Sequence, residues 1–183
     1  YILTRENKLI LYNLTEKKSE SLDCAELGIT NAEDICNIHI YNNYLWICSH
    51  NNGVTCYDTT TKATRKLNKS TPIVQDACIR DIIQADDTTF VMASGTSLAL
   101  IKFENKDYLK APFKTIDLIK NDSYYEPIIK NRITRIYLDK QNQVLWVGTF
   151  GRGLLKLNLL GDNVNRIQLD NDIRSLNLSL IHI

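Results

Sequence analysis

The chain has 183 residues, with 22 Lys and Arg against 21 Asp and Glu, so a net charge of +1 gives no reason to expect nucleic acid or an anionic membrane surface as partner. No apolar run approaches the roughly 20 residues that span a bilayer, and neither an initiator Met nor a secretory signal stands at Tyr1, which reads as a processed or excised piece of a longer protein. Five cysteines (Cys24, Cys36, Cys48, Cys56 and Cys78) form no C-x-x-C pair and are too scattered for zinc ligation. They read as ordinary buried or half-buried thiols, and their number fits a reducing compartment.

Residues 1–13 predict two strands with a turn near Arg5-Glu6-Asn7-Lys8, and residues 17–22 a third, polar strand suited to a sheet edge. After a connector at 23–34, residues 35–40 form a short, largely apolar strand of the kind buried on both faces. A turn at Asn42-Asn43 leads into the strand of Leu45 and Trp46. The tip His50-Asn51-Asn52-Gly53 reverses it into 54–58, and 64–67 lies outermost. The next unit places strands at 78–83, 89–93, 98–103 and 113–118. A longer connector, 119–132, carries Tyr124, Tyr125 and Pro127. The last complete unit uses 133–139, 145–149, 154–158 and 164–169, and 173–178 has the pattern of an inner strand without its unit.

The units repeat. In Leu145-Trp146-Val147-Gly148-Thr149-Phe150-Gly151-Arg152-Gly153, Trp146 and Gly153 lie 100 positions after Trp46 and Gly53. Gly151 and Gly153 suit the positive φ of a tight tip, and Gly148 would let a neighbouring sheet come close. A weaker copy puts Phe90 in the Trp slot, 44 positions after Trp46, the same offset as Ile35 to Ile79, and Tyr1 takes that slot in the first copy. Four-stranded units of about 40–45 residues mark β-propeller blades, a recurrence that an all-β sandwich does not predict. The expected fold is all-β: a β-propeller segment over 1–183, with about four blades of four antiparallel strands, part of a larger propeller. The blades fall at approximately 1–22, 35–69, 78–119 and 133–169, with 173–183 the inner strand of a further or closing blade.

The unit from Ile133 to Leu155 resembles the two-component regulator propeller repeat, in which a strand ending in Asp leads to Leu-Trp-x-Gly-Thr, a glycine-rich tip and Leu. Asp139, Leu145, Trp146, Gly148, Thr149, Gly151, Gly153 and Leu154 fit that pattern; Ile35, Ile38, Leu45, Trp46 and Gly53 carry part of it, while Cys48-Ser49 and Arg152 depart from it. The resemblance implies a non-catalytic, ligand-sensing module of a hybrid two-component sensor histidine kinase. It would be the bacterial periplasmic input for an oligosaccharide or other small ligand. Its partners would be neighbouring propeller blades and a homodimer partner, with histidine kinase activity in a domain absent from this chain. Ligand binding would shift that dimer between two arrangements. Five unpaired thiols sit awkwardly with a periplasmic address.

The residues themselves name no chemistry. His39 and His182 lie in apolar strands and His50 at a tip, and no nucleophile, base and orienting acid come together by spacing. No phosphate loop, metal cluster or cofactor fingerprint is present in the sequence, so no cofactor and no metal are expected. Trp46 and Trp146 are expected as packing residues rather than sugar-stacking platforms. Because strands alternate in direction, tips and connectors share one face. It collects His50, Asn51, Asn52, Tyr124, Tyr125, Phe150 and Arg152, either a ligand surface or solvated turns. A propeller enzyme of lyase or glycosidase type, or a protein-interaction scaffold, stays open as the alternative. The enzyme would need convergent carboxylates such as Asp34, Asp81 and Asp139, the last expected as a turn residue. Residues 173–178 could close a four-bladed ring on 1–5 or begin a further blade of a larger arc, the arrangement the resemblance favours. Light scattering separates the two: an arc self-associates through its open blade faces, and a 21.0 kDa monomer sinks that arrangement.

Overall fold

The computed structural model describes residues 2–3, 6–67, 78–119, 132–150, 153–158 and 167–168. These build four antiparallel sheets, each a run of sequential neighbours. β1 (Ile2–Leu3), β2 (Lys8–Asn13) and β3 (Lys18–Asp23) form the first, and β4 (Ile35–Tyr41), β5 (Tyr44–Ser49), β6 (Gly53–Asp58) and β7 (Thr64–Leu67) the second. The third holds β8 (Ile79–Gln84), β9 (Thr89–Ser94), β10 (Leu98–Phe103) and β11 (Phe113–Asp117). The fourth holds β12 (Ile133–Asp139), β13 (Val144–Thr149), β14 (Gly153–Asn158) and β15 (Ile167–Gln168). Among the described residues the one helical turn is a 3-10 turn at Ala32–Asp34, capped by the Asn31 side chain accepting from the Glu33 N–H. The all-β expectation holds. The strand expected at 173–178, most of 119–132 and all of 68–77 lie outside the described residues.

The chain divides into two compact units, Tyr1–Ile79 with Tyr108–Lys110, and Arg80–Asp107 with Ala111–Ile183. Each has its own core, and period-2 alternation explains both. In the first, Leu9 and Leu22 meet Ile38, Leu45, Ile47 and Tyr57, with Leu27 and Ile29 of the connector filling the space. In the second, Val91, Ala93 and Leu98 meet Ile133, Ile136, Leu145, Val147, Leu155 and Leu157. Leu45 and Ile47 thus take the same side of β5 that Leu145 and Val147 take on β13, and the tryptophans point the other way.

The repeat is physical down to its irregularities. The register of β4 on β5 slips between Ile35 and Asn37, and that of β12 on β13 between Ile133 and Arg135. One extra residue, Cys36 or Thr134, is accommodated there as a β-bulge. Gly148 serves this bulge. A Cβ on it would stand 3.1 Å from Thr134 Oγ1 and 3.5 Å from the Arg135 carbonyl. Its missing side chain therefore makes room for the adjacent strand of its own sheet, not for a neighbouring sheet as the sequence reading has it.

A hydroxyl at the end of the second strand closes the tip in the three later sheets. Ser49 Oγ donates to Gly53 O at 3.0 Å and accepts from Asn52 N at 3.1 Å, and Thr149 Oγ1 donates to Gly153 O at 2.9 Å. Ser94 Oγ accepts from Ser97 N at 2.9 Å. Aligning Ser49 with Ser94 puts Val91, not Phe90, in the slot of Trp46, which corrects the 44-residue offset. On the inner strands Asn37 and Asp81 each accept the N–H of the following Ile38 and Ile82, and they keep the 44-residue spacing. The segment between inner and second strand is therefore one residue longer in the third sheet. Gly53 and Gly153 take φ of 73° and 76°, as tip glycines should, and Gly151 lies outside the described residues.

The two tryptophans are not equivalent. Trp46 is fully buried, with the Tyr108 ring 5.6 Å away at 59°, and Arg65 Nη1 donates to the Tyr108 carbonyl at 2.9 Å. Trp146 is half-buried, with Lys156 Nζ 5.6 Å from its ring centroid. The expectation of a packing role holds fully only for Trp46. Trp46→Ala should lower stability by about 3–5 kcal/mol, as large aromatic truncations in cores do. Trp146→Ala should cost about 1–2 kcal/mol, for partial burial and one cation–π contact. Equal losses in denaturant titrations of the two variants would contradict this assignment.

Candidate functional site

Chain reversals at the tip end of each unit are stitched to the connectors beside them. In the first unit, Asn7 at the β1–β2 turn takes φ 61°. It accepts from Ala32 N on Oδ1 and reaches Thr30 O with Nδ2. At the next tip, His50 N donates to Asp34 O at 2.8 Å and Asn51 Nδ2 donates to Asp34 Oδ1 at 2.7 Å. The second unit repeats the pattern: Phe150 N donates to Arg132 O and Ile133 N to Gly95 O, both at 2.8 Å. Tips and connectors thus meet at one end of each unit, as strand alternation requires.

The predicted ligand residues divide accordingly. His50 is half-buried, and its Nδ1 lies 3.2 Å from Cys78 Sγ. Asn51 is exposed but spends its amide on Asp34. Asn52 is half-buried, and its Nδ2 has no hydrogen-bond partner among the described residues. Phe150 stands 76% exposed, the kind of apolar tip that a partner or ligand could cover. Tyr124, Tyr125 and Arg152 lie outside the described residues, as does His182. His39 stacks on Tyr41 at 5.7 Å and lies 3.0 Å from Asn37 Nδ2, a local inner-strand arrangement.

Sequence reasoning passed over the role of Asp81, although its place two residues into an inner strand marks it. It is 1% exposed, and its carboxylate accepts from Ile82 N at 3.0 Å and from Ile136 N at 3.1 Å. The side chain so ties β8 to β12, the inner strands of the second unit. Arg135 Nη1 adds a 3.4 Å contact to Arg80 O. Asp139 instead caps the β12–β13 turn, accepting from Asn142 Nδ2 at 2.7 Å and from Gln141 and Asn142 N–H at 3.1 Å. The Asn142 side chain above all holds its carboxyl below the usual carboxylate range. Asp58 sits low for the same kind of reason, through Thr60 N–H and then the Thr61 hydroxyl. Asp34, Asp81 and Asp139 are thus each engaged in structural bonds. Among the described residues no group of three His, Cys, Asp or Glu side chains could hold a metal, and no helix is long and apolar enough to cross a membrane.

Four antiparallel sheets, three of them with the tip of the second strand closed by a hydroxyl, define the class: these are β-propeller repeats. Residues 127–151 match the two-component regulator propeller family, and the chain carries that family's repeat. No curated protein matches the sequence. Among solved structures, the extracellular domain assigned to the hybrid two-component system BT3049 of B. thetaiotaomicron is similar, with a TM-score of 0.56 at 18% identity over 87% of this chain. PorZ, a surface component of the type-IX secretion system of Porphyromonas gingivalis, aligns over 86% of the chain with a TM-score of 0.61 at 18% identity. The propeller domain of Swd1 from Myceliophteria thermophila aligns over 88%, with a TM-score of 0.57 at 11% identity. The chain spans 18% of the length of the first, 23% of the second and 48% of the third.

Two outcomes follow. Asp81→Ala leaves two inner-strand N–H groups without their acceptor and should cost at least ~1–3 kcal/mol, whereas Phe150→Ala should stay within about 0.5 kcal/mol. Because the folded Asp139 carboxyl titrates below its unfolded value near ~3.9, it adds stability above that value and loses it as pH falls through the folded one. Thermal midpoints measured from pH 5 to pH 2 should therefore fall less steeply for Asp139→Asn than for the parent chain.

Proposed function

We propose that this chain is a ligand-sensing segment of a bacterial two-component sensor, acting outside the cytoplasm and without catalysis of its own. The match of residues 127–151 to the two-component regulator propeller family carries the reading. The fold likeness to an extracellular domain assigned to a hybrid two-component system supports it. The ligand is an oligosaccharide or another small molecule. The candidate contacts are taken unit by unit: Asn52 at the tip of the first, where His50 and Asn51 hold the turn in place, and exposed Phe150 in the second, with Tyr124, Tyr125 and Arg152 as candidates from the sequence. In the whole sensor, further blades and a second copy complete the assembly, and ligand shifts that dimer by preferring one of two arrangements, the only route by which binding can supply coupling energy. Titration of the chain against a panel of plant and host glycans should show saturable binding with no product released. Depolymerisation of any glycan would move the chain to the propeller enzymes. Phosphotransfer from ATP by these residues alone would overturn the division between input and kinase.

A further inference from the structure

We propose that Cys78 is a peroxide-reactive thiol activated by His50, a redox modification site at the tip end of the first unit. His50 Nδ1 lies 3.2 Å from Cys78 Sγ, and both side chains are half-buried. The backbone that carries the ring is anchored: the His50 main-chain N–H donates to Asp34 O at 2.8 Å, and the next residue, Asn51, donates its amide to the Asp34 carboxylate at 2.7 Å. An imidazole at this distance is placed to accept the thiol proton as the sulfur attacks, and the thiolate is the nucleophile. The other four cysteines differ in kind. Cys24, Cys48 and Cys56 are wholly buried, and burial pushes the Cys56 thiol up to about 12 and raises Cys24 as well. Cys36 directs its thiol at the Asp34 carbonyl, 3.6 Å away. The Asp34 carboxylate beside this tip is already bonded to Asn51.

The step balances with hydrogen peroxide as oxidant. The thiolate sulfur attacks one peroxide oxygen, the S–O bond forms and the O–O bond breaks. The leaving hydroxide takes the imidazolium proton and departs as water. Sulfur is oxidised by two electrons to a sulfenic acid, and peroxide is reduced to water. Treating the 183-residue chain with one equivalent of peroxide and dimedone, followed by peptide mapping, should label Cys78 about tenfold more than any other cysteine. Cys78→Ser should remove that label. His50→Gln should slow Cys78 labelling at pH 7 about tenfold, because a free thiol is only a few per cent ionised there. In the parent chain at pH 7, iodoacetamide should modify Cys78 about tenfold faster than Cys36, the other half-buried thiol. This ratio needs no variant and decides the matter even where His50→Gln fails to fold. Label distributed evenly, label arriving first at Cys36, or equal iodoacetamide rates at the two thiols would each overturn the proposal.

Discussion

The constraint on which this structure depends is that the middle strands of the second blade are buried on both faces. Every residue of β6, and every residue of β5 after Tyr44, is buried. Such strands have no wet side on which to place polar groups, so their backbone must be satisfied within the sheet and at its ends. The ends are where the sequence departs from apolar monotony. A Ser or Thr hydroxyl closes each tip of the three later blades, and Asx caps turn the chain at Asp58, Asp86 and Asp139. The glycines at 53 and 153 follow from the same need, because the backbone enters positive φ there.

Once the tips are closed, their remaining donors find the connectors beside them. Asp34 O takes the His50 N–H, and Arg132 O takes the Phe150 N–H in the corresponding place of the other unit. The tip end of each unit is therefore a bonded rim and not a set of independent loops. A rim of this kind suits recognition. It holds an exposed aromatic such as Phe150 in a defined position, so less conformational freedom is lost when a ligand or partner covers it. The rim of the first unit fixes His50 against Cys78, a thiol in surroundings unlike those of its four buried or half-buried counterparts.

Equivalent positions in a repeat need not carry equivalent roles. On the face away from the shared core, Trp46 is sealed by Tyr108, while Trp146 keeps one side for Lys156. On the inner strands the corresponding residues are Asn37, Asp81 and Arg135. Two of them cap the following N–H, and Asp81 reaches a second strand as well. A buried carboxylate accepting two backbone donors ties the inner strands of two sheets together at the cost of desolvation, which its two hydrogen bonds offset.

Strand order, blade length and the tip positions were legible in the sequence, because period-2 alternation, glycine and Asx residues act locally and each needs only its near neighbours. The bonding of Asp139 in its turn was legible for the same reason. Register was not: Phe90 and Val91 are both apolar, so hydropathy alone could not say which of them occupies the tryptophan slot, and the Ser94 hydroxyl decided it. Nor could sequence distinguish Trp46 from Trp146, whose burial depends on what residues remote in the chain bring to them. The pairing of His50 with Cys78 spans 28 positions and depends on where a connector returns to a tip. Such contacts belong to the tertiary structure, since chain return is set by sheet packing and not by any local preference.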